Sequence, residues 1–225
     1  MNSKEKIIEL KNITFAYNQS EGVVLSDFSL TVLKGECLAI RGDNGSGKTT
    51  LFRIINGLSF PQKGEYRYNG EIINAEKLKD SRESKLFHKS IGYLFQNPDV
   101  MLFNGSVYDE IAFGPRQLGL TDAKVNERVY DTMTLLDIEE LSEKAPYHLS
   151  GGQKKKVAIA SVLSLNPDVL ILDEPFAGMD QGNKVLLLDL LKQLKSVGKT
   201  IIMATHEQEI VKEIIDREVT IVNRL

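Results

Sequence analysis

"GDNGSGKTT", Gly42–Thr50, is the stretch on which the fold turns. Gly42 to Thr49 satisfies G-x-x-x-x-G-K-[ST], and the flanks have the context that this pattern requires. "ECLAI" before it is an apolar run that reads as a strand. "KTTLFRIINGL" after it puts Leu51, Ile54, Ile55 and Leu58 on one helical face, with Gly57 near the end. Glycines 42, 45 and 47 let the backbone N–H groups of the loop, through Asp43, Asn44, Gly45, Ser46 and Gly47, turn toward one anion at a helix N-terminus. Lys48 is then placed for the β- and γ-phosphates, Thr49 for a hydroxyl ligand to Mg²⁺, and Thr50 closes the loop. The alternative, a glycine-rich turn with an incidental lysine, leaves the strand before it and the helix after it unexplained. The stretch is read as a nucleotide site binding ATP with Mg²⁺.

The N-terminal side is β-rich. "KIIELKNITFAY", "VVLSDFSLTVLKGECLAIRG" and "GEYRYNGEII" alternate apolar and polar residues between Gly-containing turns. The C-terminal side changes texture: "IGYLF", "VLILD" and "TIIMAT" read as buried parallel strands, and "KVLLLDLLKQLKSVG" as a covering helix stopped at Gly198. Between Pro98 and Asn166 the strand signal lapses. There "TDAKVNERVYDTMTLLDIEEL" carries Val125, Val129, Met133 and Leu136 at helical spacing behind a start signal at Thr121. The breaker-rich stretch from Asn69 to Ser84 reads as a surface connection. The predicted fold is α/β, with a helical insertion at 98–165 in one domain spanning 1–225, whose core is 1–97 and 166–225.

The 225 residues carry 28 Lys plus Arg against 31 Asp plus Glu, a net charge of −3, so no basic field advertises nucleic acid. The one cysteine, Cys37, lies in a strand with no metal or redox spacing around it and reads as a small buried hydrophobe. No apolar run approaches the length of a membrane span.

"VLILDEP" ends an apolar strand in two carboxylates. Successive residues at a strand end point in different directions, so Asp173 is assigned to the Mg²⁺ and Glu174 to the attacking water as general base. Two more strands end in polar residues, "IGYLFQ" in Gln96 and "TIIMATH" in His206. Open α/β sheets bind ligands at the carboxyl ends of their strands. Gln96 is therefore read as holding the water and touching the metal, and His206 as a hydrogen-bond donor to the γ-phosphate. His88 and His148 lack metal spacing and are read as solvated or loosely packed.

A second glycine-rich helix start, "LSGGQ" (Leu149, Ser150, Gly151, Gly152, Gln153), precedes "KKKVAIASVL". One γ-phosphate is not readily enclosed by both helix starts of one small domain, whereas a second copy of the chain can cover each nucleotide with its LSGGQ. Standing alone, the stretch would read as a flexible turn followed by a solvated lysine run.

Together these residues resemble the nucleotide-binding domain of the ATP-binding cassette (ABC) superfamily over essentially the whole chain. The Walker A loop, Gln96 of the Q-loop, the LSGGQ signature, Walker B Asp173 with Glu174, and switch His206 occur in the family's order. The resemblance implies a P-loop NTPase, RecA-like core with an N-terminal antiparallel β subdomain and an inserted α-helical subdomain. It gives Asp180 in "AGMD" to the D-loop and Tyr17 to the place that stacks on adenine. "FQNPDVMLFNGSVYDEIAFGPRQLGL" and "LSGGQKKKVAIASVL" further resemble the ATPases of energy-coupling factor importers, the cobalt, nickel and vitamin uptake group. Met101, Lys156, Phe176, Met179 and Gln181 depart from that group's usual residues, and members often carry a further C-terminal dimerisation segment beyond the position of "IVNRL".

What the resemblance implies is an ATPase coupled to import of a small solute. It would work as a dimer with an identical or paralogous cassette, held at the cytoplasmic face of the membrane by integral membrane subunits, with no nucleic acid and with solute met only through those partners. Asp99 to Phe103, next to Gln96, is where the family receives a membrane subunit's coupling helix; filling of the helical core by Val100, Met101, Leu102 and Phe103 is the competing expectation. An exporter ATPase, or a soluble cassette ATPase without transport, is the alternative function. The latter usually has a long coiled coil between Walker A and LSGGQ, or two linked cassettes, neither of which this sequence contains.

Overall fold

Alternation along β1 (Lys6–Phe15) changes parity in mid-strand, and this fixes how the first sheet curves. Ile8 and Leu10 are buried, then Ile13 and Phe15, because a bulge at Lys11–Asn12 inserts a residue and puts Asn12 at φ 51°. Asparagine tolerates that left-handed backbone, so the apolar set stays on one face. The computed structural model describes residues 5–18 and 22–222. β1 lies between β2 (Leu25–Leu33) and β4 (Lys63–Tyr68), with β5 (Glu71–Ile72) beyond, in an antiparallel sheet ordered β2-β1-β4-β5.

The second sheet is parallel, ordered β6-β7-β8-β3-β9: β3 (Cys37–Arg41), β6 (Ile91–Leu94), β7 (Val169–Asp173), β8 (Thr200–Ala204) and β9 (Arg217–Thr220). β7 and β8 are buried at every position, as continuous apolar runs in a two-faced sheet must be. β9 is an edge strand with charged residues at Arg217 and Glu218, so it carries no alternation by which the sequence could reveal it.

α1 (Lys48–Ile55) is clamped between the two sheets. Leu51, Phe52, Ile54 and Ile55 share one core with β1, β2, β6, β7 and β8. Leu58 departs from expectation: the helix ends at Ile55, Gly57 turns at φ 67°, and Leu58 is exposed while Phe52 fills the face assigned to it. The 69–84 stretch is also more ordered than a surface connection. It contains β5, a 3-10 turn at Lys77–Lys79 and the start of α2 (Ser81–Ser90), whose cap Asp80 accepts from the N–H groups of Arg82 and Glu83. Only Phe87 of α2 is buried, too little for a periodic signal.

The other face of the parallel sheet carries the helices α3 (Val107–Gln117), α4 (Asp122–Leu136), α5 (Gly151–Leu163) and α6 (Gln181–Ser196) in a second core. Val125, Val129, Met133 and Leu136 are all buried as their spacing requires, although Thr121 makes no side-chain cap bond. α3, interrupted in sequence by Pro115, is capped by Ser106, which accepts from the Asp109 N–H. Among the described residues no helix is long and apolar enough to cross a membrane.

Candidate active site

Strand order brings the chemistry together. β6, β7, β8 and β3 are neighbours and all parallel, so their carboxyl ends open on one cleft of ≈ 450 Å³. Tyr17, Asn44, Gly45, Gly47, Lys48, Thr49, Thr50, Gln96, Asp173, Glu174 and His206 line it. Gly42, Gly45 and Gly47 have φ of 143°, 80° and 104°, a backbone path that side-chain-bearing residues resist. Gly42 is also hemmed in: an added Cβ would stand 2.7 Å from the Ile221 carbonyl oxygen.

The loop fits an anion. α1 begins at Gly47 with no side-chain cap, leaving its first N–H groups without a side-chain acceptor, and the Ser46 hydroxyl is buried without a hydrogen-bond partner. Lys48 Nζ donates to the carbonyls of Gly42 at 2.7 Å and Asp43 at 2.9 Å, folded back over the loop that a phosphate would fill. Tyr17 stands edge-on to Phe15 with its hydroxyl 3.0 Å from Thr50 Oγ1, and its half-exposed ring overlooks the helix start.

Thr49 Oγ1 donates to Asp173 Oδ2 at 2.8 Å. Burial pushes the Asp173 carboxyl up, against the Thr49 bond that lowers it, a tension that a nearby cation relieves. Among the described residues no three His, Cys, Asp or Glu gather to hold a metal by themselves. A hydroxyl, one buried carboxylate and phosphate oxygens are the kind of oxygen set that suits Mg²⁺. Glu174 is buried at φ 48°, left-handed for a residue that resists it; its N–H donates to Ala204 O, and its carboxylate lies 3.2 Å from the His206 N–H and 3.4 Å from His206 Nε2. Gln96, two residues past β6, is exposed at the cleft mouth.

The signature lies elsewhere. Ser150 and Gly151 are exposed at the start of α5 and do not line the cleft. Ser150 Oγ accepts from the Gln153 N–H and Gln153 Oε1 accepts from the Ser150 N–H, a reciprocal capping box. Leu149 packs into the helical core, and a Cβ on Gly152 would lie 3.6 Å from the Gly178 carbonyl. Asp180 caps α6, accepting from the Asn183 N–H at 2.9 Å, and that bond lowers its carboxyl pKa.

Two features went unread in the sequence. The lysine run is not solvated: Lys155 is 2% exposed and Lys156 is buried. A helical wheel shows the signal, since Lys155 shares a face with Ala158, Ile159 and Val162. The coupling segment is also divided. Met101 and Leu102 pack partly against the core, with Met101 Sδ accepting from the Phe95 N–H, whereas Val100 and Phe103 are each 68% exposed and the Phe103 ring meets Phe113 edge-on. Phe176 and Met179, two of the departures from the importer group, are buried in the helical core.

Residues 25–177 match the family model described as ABC transporter. A nickel import ATP-binding protein, LarO, of Lactiplantibacillus plantarum is 46% identical over 211 residues, covering 94% of this chain and 87% of LarO. Among solved structures, cbiO1 of Clostridium perfringens, part of the ABC transporter complex cbiONQ, aligns with a TM-score of 0.81 at 36% identity over 96% of this chain and 85% of its own. The ATP-binding cassette MJ0796, dimeric in a post-hydrolysis state bound to ADP and Pi, aligns with a TM-score of 0.87 at 26% identity over 96% of this chain and 94% of its own.

Proposed function

Because this chain belongs to the ABC transporter family, as an ATP-binding subunit that hydrolyses ATP, we propose that it powers import of a small solute of the energy-coupling factor class, a metal ion or a vitamin. The likeness to a nickel importer's subunit supports that direction and class, and the likeness to cbiO1, part of an ABC transporter complex, supports the transport role. One observation carries the partner half of the reading: Val100 and Phe103 stand exposed immediately beyond Gln96, an apolar pair in water beside the Phe113 ring. They form the seat for an integral membrane subunit, which holds this chain at the cytoplasmic face. Residues 98–165 act as a lobe on the 1–97 and 166–225 core.

Tyr17 stacks on adenine, and Lys48 with the loop N–H groups binds the β- and γ-phosphates. Thr49 and Asp173, with Gln96 at the cleft mouth, would hold Mg²⁺, which supplies charge neutralisation on the phosphate oxygens. Glu174 takes a proton from water as the water oxygen bonds to the γ-phosphorus and the bond to the β,γ-bridging oxygen breaks, leaving ADP and phosphate. His206 and Gln96 hold the γ-phosphate and the water. A second cassette, identical or paralogous, covers the cleft with its own Ser150 and Gly152, while Asp180 lies at the seam.

The test is to replace Val100 and Phe103 together by Asp and recover the chain from membranes. Basal ATP hydrolysis should stay within about twofold while co-purification of a membrane subunit is lost; neither side chain is buried, so folding has little at stake. Undiminished recovery of the membrane subunit would rule out this seat.

A further inference from the structure

We infer that Lys155 is a positioning residue for hydrolysis: a buried ammonium strut that ties the signature helix α5 to the backbone of both Gln96 and Glu174. The inference rests on the reading of Glu174 as general base. Lys155 Nζ donates to the Gln96 carbonyl at 2.7 Å and makes a longer contact, 3.4 Å, to the Glu174 carbonyl. It therefore joins the ends of β6 and β7 at the two residues that hold the attacking water. The Glu174 backbone is left-handed, a conformation that surrounding contacts must maintain, and the ammonium is one of them.

Stability alone does not account for a lysine here. Its environment is apolar along α5, burial lowers its ammonium pKa, and replacing a buried ion by a hydrophobe of similar volume is often neutral or stabilising. A charge kept where a Met would pack has work to do beside Asp173 and Glu174, whose carboxylates are the charges that face it. The neighbouring lysines extend the arrangement. Lys154 pairs with Asp99 at 2.7 Å, next to the exposed Val100, and Lys156 Nζ reaches the Asp137 carbonyl at 3.5 Å. Ser150 and Lys155 are five residues apart on one helix, about 7.5 Å along its axis. A partner cassette that fixes Ser150 consequently fixes, through one rigid turn and a half, the peptide that carries the base.

The experiment is a double-mutant cycle in single-turnover ATP hydrolysis with the full chain in excess over MgATP. Lys155→Met should lower the hydrolysis rate about tenfold or more, since misplacement of about 1 Å can cost up to 10²-fold, while the concentration of chain giving half-maximal rate shifts less than about twofold. In the Glu174→Gln background the same substitution should cost less than about twofold, because the group it positions is already gone. Losses that multiply, an unchanged rate, or weakened binding in place of a slower rate would each overturn the inference. Should Lys155→Met not fold, Lys155→Gln, which keeps an N–H donor, carries the same cycle with a smaller loss; failure of both to fold assigns the residue to stability and overturns the inference equally. The base reading fails by a separate sign, Glu174→Gln alone hydrolysing at the wild-type rate.

Discussion

The chain has two glycine-rich helix starts, and they are built oppositely. At α1 the loop glycines 42, 45 and 47 have positive φ, no side chain caps the helix, Ser46 Oγ has no partner among the described residues and Lys48 folds back onto the loop carbonyls. At α5 Ser150 and Gln153 satisfy each other's backbone, and none of the pair Gly151 and Gly152 needs a positive φ. An uncapped helix start leaves N–H donors for an anion in its own cleft, whereas a self-capped one has its donors satisfied within the chain. Similar composition at two helix starts thus gives one with free N–H donors facing the cleft and one whose donors are already satisfied.

Four perturbations probe that contrast. Glu174→Gln removes the carboxylate proposed as proton acceptor beside the α1 site, and the single-turnover rate should fall by about 10² to 10⁴ with ATP affinity retained. A wild-type rate would cancel the assignment. Lys48→Ala strips the open site of its charged donor, worth about 1.5–3 kcal/mol, so calorimetry should find ATP binding weaker by roughly 10- to 100-fold.

Ser150→Arg acts only on the self-capped site. In the Glu174→Gln background, ATP should drive dimerisation seen by light scattering, and adding the Arg should weaken that dimer by about tenfold or more with nucleotide affinity unchanged. Equal loss of affinity in the isolated chain would mean that the two helix starts share one cleft within one chain. The smallest effect is the cap itself: Ser150→Ala should cost about 1 kcal/mol, a fall in melting temperature of about 2–4 °C by calorimetry. The α1 start has no cap side chain to lose, so no corresponding change exists there.

Much of this architecture was legible because its signals are local. The Gly42–Thr50 loop, the apolar runs of β7 and β8, and the Val125–Leu136 face of α4 each announce themselves within a few residues. What stayed hidden lacked a periodic face. α2 buries only Phe87, β9 is a charged edge, and Leu58 continued the pattern of α1 past a glycine that ends the helix. Burial of Lys155 stayed hidden for a different reason. Charge density favours water, and it is the carbonyls of Gln96 and Glu174 with the carboxylates of Asp173 and Glu174, all distant in sequence, that make burial of Lys155 tolerable.

From the sequence alone come the local features: a phosphate loop between strand and helix, an acidic strand end and a serine-capped glycine pair are set by residues adjacent in the chain, where backbone geometry leaves few options. The tertiary structure decided which groups meet. Sheet order β6-β7-β8-β3 puts Gln96, Glu174, His206 and Lys48 around one cleft and leaves Ser150 outside it. Packing likewise splits the coupling segment, taking Met101 and Leu102 inward and leaving Val100 and Phe103 in water. Those outcomes depend on contacts between residues far apart in the chain, whose energies no local pattern encodes.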